Sequence, residues 1–333
     1  MCYNFAVVCL FLCKQKGDYM DLITHGVVGL ALGSLSGGPD IINNPLAIGA
    51  LIGSVVPDGD IIYQLKGDYT YLKNHRGPSH SIVMGTVISL IVSGILRGIF
   101  SDFSFWSIFV WTFGAYMLHI GLDIFNSYGA SILWPFSKKK IGSGLLLIFD
   151  PALLISSIVI FFTRGKHWGW IIASISFFIL YLLFRLMLKR RVYKVLMKFF
   201  NHEKGQKIVV MPSMLRLFKW DFIMYQQKRI ITGRVNVLRS YVYVRNYFER
   251  SNTQLENIVL KTTIGEFFKN FSPHYHIEWI RDGEGHKVIF TDLRYYVRGS
   301  YMHHAIALFD EKLRPIYAAF QPYSKQRNIK IPV

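Results

Sequence analysis

The sequence predicts an α-helical multi-pass membrane domain followed by a small antiparallel β domain. Long apolar stretches are confined to the part of the chain up to Leu188, while the rest is rich in basic residues and alternates apolar with polar positions. With 52% hydrophobic and only 17% charged residues, the chain is neither disordered nor collagen-like. Cys2, Cys9 and Cys13 all lie at the start, so any metal site must use histidine and carboxylate ligands.

The charge distribution divides the chain. Up to Leu188 there are 12 basic and 9 acidic residues, whereas the remainder has 26 basic and 11 acidic residues. We therefore expect a membrane domain over residues 20–190 and a basic, β-rich cytoplasmic domain over residues 205–333. Residues 1–19 form an apolar leader without a basic segment before it, and Met20 is an alternative start of the native chain.

Six apolar stretches compete for membrane helices, which need about 20 mainly apolar residues. The last four are long enough to cross alone. The first two are short and glycine-rich, so they would pack closely together or form a re-entrant element. The six stretches are Leu22–Leu35, Pro45–Val56, Ser81–Phe100, Phe103–Phe125, Leu145–Phe162 and Trp168–Leu188.

The basic residues of the short loops predict the orientation, because such loops are positively charged on the cytoplasmic side. Basic groups follow the second, fourth and sixth stretches, and few basic residues occur in the loops between them. Both termini and the C-terminal domain should then lie on the cytoplasmic side of the inner membrane. The groups are Lys66, Lys73 and Arg76; Lys138, Lys139 and Lys140; and Lys189, Arg190 and Arg191.

Ionisable residues interrupt the apolar half, where their burial is costly and usually marks a functional site. With the expected topology they all fall toward one membrane face, as the members of a metal or catalytic site should. Each group also has a purely structural interpretation. Asp58 and Asp60 would form a turn, and His119 and Asp123 would be a hydrogen-bonded pair on one helix. Asp150 would cap a helix. The residues are His25, Asp58, Asp60, His75, Arg76, His80, His119, Asp123, Asn126 and Asp150.

The segment NHRGPSHS, residues 74–81, is the densest part of this pattern. Pro78 and Ser79 predict a helix start with Ser79 as the N-cap, which puts His80 at the positive end of a helix dipole. Arg76 offers a planar fork suited to a phosphate or carboxylate. The alternative interpretation of this segment is a basic cytoplasmic loop that only sets the orientation of the protein in the membrane. Two histidines and an arginine are more than that role requires.

Together these motifs resemble the YdjM-like family of predicted inner-membrane metal-dependent hydrolases. The resemblance rests on THG at 24–26, PDGD at 57–60, HRGPSHS at 75–81, HIGLD at 119–123 with Asn126, and FDP at 149–151, in that order. It implies a bacterial multi-pass membrane protein with a divalent-metal hydrolase site, and the substrate is not established for the family at large. The C-terminal extension is similar to that of the longer members.

The resulting hypothesis divides the polar residues by role. Histidine and aspartate ligands suit zinc best, with manganese or magnesium as alternatives. Asp60 would be either a sixth ligand, which bridges two ions, or the base that orients water. Arg76, aided by His75, would neutralise developing charge on a phosphoryl or carboxyl oxygen. Asn126 and Asp150 would support the ligands. The expected ligands are His25, Asp58, His80, His119 and Asp123.

Strand-like alternation marks the basic C-terminal domain. Asp282-Gly283-Glu284-Gly285, between two such patterns, predicts a hairpin turn. Five histidines without ligand spacing are expected on strand surfaces, namely His274, His276, His286, His303 and His304. The predicted strands are Lys207–Val210, Trp220–Tyr225, Val235–Leu238, Tyr241–Val244, Tyr275–Ile280, Lys287–Tyr296 and Ala305–Phe309.

The predicted function is a membrane-bound metal-dependent hydrolase that acts on a phosphoester or ester at the cytoplasmic membrane face. Its expected partners are the lipid bilayer, a lipid or lipid-linked substrate, and anionic headgroups that bind the basic domain. Nucleic acid is a less favoured partner, because no helix-turn-helix, RNP-like or zinc-finger motif is present. A non-enzymatic membrane-anchored regulator or binding protein is the main alternative function, and ion transport is the third.

Overall fold

The chain forms two compact units, each described here by itself. The membrane unit comprises residues 1–62 and 74–187, and the C-terminal unit comprises residues 63–73 and 188–333. The predicted leader falls mostly outside the described residues. The computed structural model describes residues 17–37, 41–147, 149–163, 167–201, 206–213, 216–250, 253–283, 285–297, 299–322 and 326–333.

Helices make up the membrane unit. Helix α2 continues without a break as a 3₁₀ helix over Val56–Lys66, and a short 3₁₀ turn at Pro78–His80 precedes α4. The α-helices are α1 (Gly17–Ser34), α2 (Pro45–Val55), α3 (Asp68–Asn74), α4 (Ile82–Ile99), α5 (Phe105–Phe125), α6 (Pro151–Thr163) and α7 (Trp168–Phe199). Parts of α3 and α7 belong to the C-terminal unit.

Four helices among the described residues are long and apolar enough to cross a membrane, which confirms the predicted helical membrane domain. They are Pro45–Lys66, Ile82–Ile99, Phe105–Phe125 and Trp168–Phe199. The prediction that Leu145–Phe162 crosses alone is wrong, because α6 has only 13 residues and begins at Pro151, where the Asp150 carboxylate caps it. The second stretch is longer than predicted, since the 3₁₀ helix extends it to Lys66.

Small residues let the helices of the membrane unit approach closely. A Cβ atom on Gly29 of α1 would collide with Ser54 of α2, and one on Gly53 of α2 would collide with the carbonyl oxygen of Thr112 in α5. The predicted close packing of the first two stretches is therefore present. These contacts bring the end of α2 against the middle of α1 and α5, where the histidines lie.

The C-terminal unit contains two antiparallel sheets and two helices, which confirms the predicted antiparallel β architecture. The first sheet has the order β1-β2-β3-β4, the second β11-β10-β9-β6-β5, and β7 and β8 form a small ladder. The helices, α8 (Thr253–Leu260) and α9 (Thr263–Phe271), were not predicted. The strands are β1 (Lys207–Ser213), β2 (Arg216–Tyr225), β3 (Arg229–Asn236), β4 (Tyr241–Glu249), β5 (Tyr275–Asp282), β6 (Gly285–Asp292), β7 (Tyr296–Val297), β8 (Ser300–Tyr301), β9 (His303–Phe309), β10 (Pro315–Pro322) and β11 (Ile329–Lys330).

Each sheet has its own apolar core. The first packs Trp220 and Phe222 against the last turns of α7, and the second packs Phe290 and Phe320 against Phe268 of α9. The predicted hairpin turn at residues 282–285 joins β5 to β6, although Glu284 lies outside the described residues. The surface prediction is wrong for His303 and His304, which are buried because both sides of β9 are covered.

Candidate metal centre

The end of α2 provides a carbonyl oxygen that orients one histidine. Ser54 lies in the last turn of α2, and Pro57, three residues later, has no N–H to donate to the Ser54 carbonyl. That oxygen lies 2.7 Å from His119 Nδ1, which must therefore carry the proton and donate it. The lone pair of His119 is then on Nε2, the tautomer that buried metal-binding histidines adopt.

Helix α5 places His119 and Asp123 one turn apart on the same buried face. Their closest atoms, Nε2 and Oδ2, are 3.8 Å apart. His25 of α1 stacks on the His119 ring with 3.7 Å between ring centroids. Its Nε2 atom lies 3.4 Å from Asp123 Oδ1. Two helices thus direct imidazole and carboxylate groups at one point.

The 3₁₀ turn before α4 brings in a third histidine. His80 is fully buried, and its Nδ1 atom lies 3.0 Å from the Ser79 hydroxyl, while the Tyr116 hydroxyl donates to the Ser79 carbonyl. The prediction that Ser79 caps the helix is wrong, because α4 begins at Ile82 and the Ser81 side chain accepts from the Met84 N–H. Ser79 instead holds the His80 ring.

The three elements converge with the PDGD segment on one cluster of nitrogen and oxygen atoms. The Nε2 atoms of His80 and His119 are only 3.2 Å apart. Asp58 Oδ1 lies 3.5 Å from His80 Nε2 and 3.6 Å from His119 Nε2, and Asp123 Oδ2 lies 3.1 Å from His80 Nε2. In two overlapping groups, His25–Asp58–His119 and His80–His119–Asp123, the ligand atoms all lie within 4.8 Å of one another.

The chemistry of this cluster fits a divalent cation. Asp58 Oδ2 is buried and accepts no hydrogen bond from any described residue, and an unsatisfied buried carboxylate oxygen is costly without a cation. Burial lowers the pKa of His80, but Asp123 and Asp58 outweigh this effect and raise the pKa to about 9. The carboxylates therefore favour positive charge at this point, and imidazole with carboxylate ligands suits zinc or manganese.

Asp60 and His75 form a separate pair beside the cluster. Both Asp60 oxygens face His75 Nδ1, at 3.1 and 3.4 Å, and one of them also accepts from the Arg76 backbone N–H at 2.8 Å. Arg76 adopts a left-handed backbone with φ +54°, an unfavourable conformation that these contacts hold. The His75 side chain is 19% exposed, so this pair lies at the edge of the buried cluster.

A buried guanidinium connects the pair to the ligands. Arg76 Nη2 lies 3.4 Å from Asp123 Oδ1, and Nη1 donates to Asn126 Oδ1 at 3.2 Å. Asn126 in turn donates to Asp123 Oδ1 at 3.1 Å. The guanidinium also lies over the ring of Tyr128. Asn126 therefore orients both the Asp123 carboxylate and the arginine, and its predicted role in support of the metal ligands stays a prediction.

Asp150 has different contacts from the other sequence-predicted residues. Its carboxylate accepts from the Ala152 N–H at 3.1 Å and from the Tyr181 hydroxyl at 2.8 Å. These are the contacts of a helix-capping residue. The predicted role of Asp150 in support of the metal ligands stays a prediction. Sequence reasoning missed the Ser54 carbonyl, which carries no residue-type signal. It also missed Tyr116 and Tyr128, because nothing in the sequence sets these tyrosines apart from other aromatic residues.

Comparisons with known proteins agree with this architecture. The family model described as YdjM inner membrane protein matches residues 20–192, and that described as YfhP C-terminal alpha/beta plait domain matches residues 255–330. A protein of Bacillus subtilis (strain 168), uncharacterized protein YfhP, is 29% identical over 332 residues, covering 94% of this chain and 99% of that protein. No solved structure matches the chain. With more than half of its residues matched, including every residue of the cluster, the chain belongs to the YdjM inner membrane protein family.

Proposed function

We propose that this protein is a membrane-bound hydrolase that uses a divalent metal ion, preferably zinc, to cleave a phosphoester or ester at the cytoplasmic membrane face. The observation that carries the proposal is the convergence of His25, His80 and His119 with two aspartates in one buried cluster. Such a cluster is costly to bury without a cation and has little value for stability alone. Three histidines and two carboxylates are also a donor set found at hydrolytic metal centres.

The five cluster residues would hold the metal, with His119 oriented by the Ser54 carbonyl and Asp123 by Asn126. When bound, the ion lowers the pKa of a coordinated water toward about 7 and polarises the scissile group. The protein provides neutral imidazole lone pairs and negative carboxylates in a site from which bulk water is excluded. Its hydrogen bonds from outside the cluster keep the rings and carboxylates in one orientation.

His75 is assigned the role of accepting a proton from the attacking water, because Asp60 holds its ring and its side chain is partly exposed. Its Nδ1–H donates to Asp60, which leaves the lone pair on Nε2 and stabilises the imidazolium that forms. The sequence hypothesis gave Asp60 two possible roles, as a sixth ligand or as the base, and we assign the base to His75 instead. Because the Asp60 oxygens accept from His75 and from the Arg76 backbone, Asp60 is better suited to positioning.

Arg76 would bind the negative charge of the substrate and stabilise the charge that develops during cleavage. Its guanidinium is buried, carries a fixed positive charge and is held by Asn126 and Tyr128. A preorganised cation of this kind stabilises a transition state more strongly than one that must reorganise. The planar fork favours a phosphoryl or carboxyl group over an uncharged substrate.

The membrane setting suggests the substrate class. The basic loops after Lys66, Lys138 and Lys189 favour a cytoplasmic position for the ends of the helices that carry the site. A site near the headgroup level of the inner leaflet would reach a phosphoester or ester in a lipid or a lipid-linked molecule. The short helices α1 and α6, whose ends meet where the Ser34 hydroxyl donates to the Ile160 carbonyl, would also pass through the bilayer, and the C-terminal unit would then lie in the cytoplasm.

The test is turnover of lipid phosphoesters and esters by the purified full-length protein in nanodiscs loaded with zinc or manganese. Arg76→Lys keeps the charge but loses the fork, and His75→Gln loses the base. We expect both variants to retain bound metal while kcat falls about 100-fold or more, the usual contribution of general acid–base and electrostatic groups.

Matched controls come from the same unit. Arg97→Lys changes an arginine of α4, and His167→Gln changes an exposed histidine before α7; both should leave turnover unchanged. If the wild-type protein binds metal but no phosphoester or ester is cleaved, the protein is a metal-binding membrane protein and the hydrolase proposal is wrong.

A further inference from the structure

The first sheet is attached to the end of a membrane helix. Helix α7 is apolar up to Leu188 apart from the buried Arg185, and Lys189, Arg190 and Arg191 follow at once. Beyond the apolar part, Leu188, Val192 and Leu196 recur every four residues and enter the core of the sheet β1–β4. The sheet therefore packs on the portion of α7 that directly follows the predicted membrane boundary.

The direction of α7 along the sheet indicates which end of the sheet is nearest the bilayer. The Phe200 ring, after the helix, lies 5.8 Å from the Phe222 ring. Leu188 precedes Phe200 by about 18 Å of helix. From Phe222, β2 extends only about 10 Å to Tyr225 but about 20 Å to Arg216. A helix packed on a sheet generally runs along its strands, so Leu188, which belongs to the same core, is expected toward the Arg216 end.

Two hairpin connections meet at this end of the sheet. Strand β1 ends at Ser213 and β2 begins at Arg216, while β3 ends at Asn236 and β4 begins at Tyr241. The backbone N–H of Val237 donates to the carbonyl of Phe218, which joins the two connections. We call residues 216–219 and 237–243 the sheet tip.

The sheet tip combines exposed apolar side chains with basic ones. Leu238 is 64% exposed, Tyr241 63% and Tyr243 56%. Slight burial and three nearby guanidiniums lower the pKa of Lys219, so several cations share this small area. The guanidiniums belong to Arg216, Arg234 and Arg239. Asp221 pairs with Arg234 at 2.7 Å and with Arg245 at 2.6 Å, and the other three cations remain in excess.

We propose that the sheet tip docks on the anionic headgroups of the same bilayer that α7 crosses, with Leu238 and Tyr241 inserted at the interface and Arg216, Lys219 and Arg239 bound to lipid phosphates. Aromatic and aliphatic side chains flanked by basic ones are typical of the membrane interface. The surface is continuous with the membrane helix, so docking needs no separate recruitment. The proposal is independent of the hydrolase activity.

The experiment uses the full chain with Cys2, Cys9 and Cys13 changed to serine and Leu238→Cys labelled with a polarity-sensitive fluorophore. The protein is placed in nanodiscs of phosphatidylcholine alone or with phosphatidylglycerol. We expect brighter, blue-shifted emission only with phosphatidylglycerol, and a loss of this response at high salt. Ile316→Cys, labelled at another exposed position of the C-terminal unit, should remain aqueous in both lipids and reports on folding.

A second variant tests the charges. Arg216→Gln, Lys219→Gln and Arg239→Gln together should shift the docking equilibrium about 100-fold, since each basic residue near an anionic surface contributes about fivefold. The matched control neutralises three exposed cations elsewhere, Lys269, Arg281 and Lys312, and should respond as the wild type does. The proposal is overturned by an aqueous label in both lipids, by equal insertion in both, or by a response to a DNA oligonucleotide instead of phosphatidylglycerol.

Discussion

Asp123 in the membrane unit and Asp292 in the C-terminal unit are both fully buried, yet their surroundings differ. Asp292 accepts from Ser272, from the Arg294 backbone and from the Arg294 guanidinium, so both of its oxygens are hydrogen-bonded. Asp123 is hydrogen-bonded by Asn126 on one oxygen, while the other faces the Nε2 atoms of His80 and His119.

The difference separates a structural ion pair from a candidate metal centre. Burial alone would raise the pKa of Asp292, but Arg294 outweighs this effect and lowers the pKa below its usual value. That network is complete within the protein and stabilises one conformation. Around Asp123, imidazole nitrogens and carboxylate oxygens face one another, an arrangement that a cation would complete. The two sites should therefore respond in opposite ways to the same substitution.

The largest effect on stability is expected for Asp292→Asn. Removing this charge leaves the Arg294 guanidinium buried without a counter-charge, which costs about 3–5 kcal/mol. Urea unfolding of the purified protein, followed by tryptophan fluorescence, measures the loss. Bound metal should remain as in the wild type. An unchanged unfolding midpoint would show that the Asp292 network does not stabilise the unit.

Gly53→Ala should have the next largest effect, and it acts on both stability and metal. The added Cβ collides with the Thr112 carbonyl, so α2 and α5 must separate at a cost of about 1–3 kcal/mol. Separation also moves Asp58 and the Ser54 carbonyl away from His119, which should weaken metal binding. Thermal unfolding and metal titration measure the two effects.

Gly114→Ala is the matched control for the glycine substitution. A Cβ on Gly114, on the same helix α5, meets nothing within 4 Å. The Gly114→Ala variant should keep the metal affinity of the wild type, and its free energy of unfolding should rise by up to about 1 kcal/mol because alanine has the higher helix propensity. Equal effects of the two alanines would contradict the proposed role of close α2–α5 packing.

Asn126→Ala should weaken metal binding 10- to 100-fold, about 1.4–2.7 kcal/mol. It should also lower stability by about 1–3 kcal/mol, because Asn126 Oδ1 accepts from the backbone N–H groups of Tyr128 and Gly129. The substitution removes the hydrogen bond that orients Asp123 and the oxygen that holds Arg76. Competition with a fluorescent chelator measures the affinity. Asn44→Ala removes the N-cap of α2 and should lower stability by about 1 kcal/mol while affinity stays as in the wild type.

Much of the candidate site could be predicted because its residue types are unusual in apolar segments. The i, i+4 spacing of His119 and Asp123 and the density of polar residues in NHRGPSHS are visible in the sequence. The groups that orient these side chains were harder to predict from the sequence. A backbone carbonyl such as that of Ser54 has no sequence signal, and the pairing of Asp60 with His75 depends on how the chain folds back after the 3₁₀ helix.

The errors in the fold have similar physical causes. The apolar stretch from Leu145 looked long enough to cross a membrane, although Asp150 followed by Pro151 is a typical helix start. In the C-terminal unit, α9 was missed although Ile264, Phe267, Phe268 and Phe271 recur at helical spacing, because the prediction gave this unit strands alone. His303 and His304 were expected on a surface because sequence alone does not show that β9 lies inside its sheet.

The metal content of the full-length protein, measured by elemental analysis after loading with zinc or manganese and removal of free ion, tests the central claim most directly. We predict at least about one equivalent per chain in the wild type and in Asp292→Asn, and loss of metal in Asp123→Asn and His80→Ala without unfolding. Absence of metal from the wild type under both loading conditions, or its full retention in Asp123→Asn, would contradict the account.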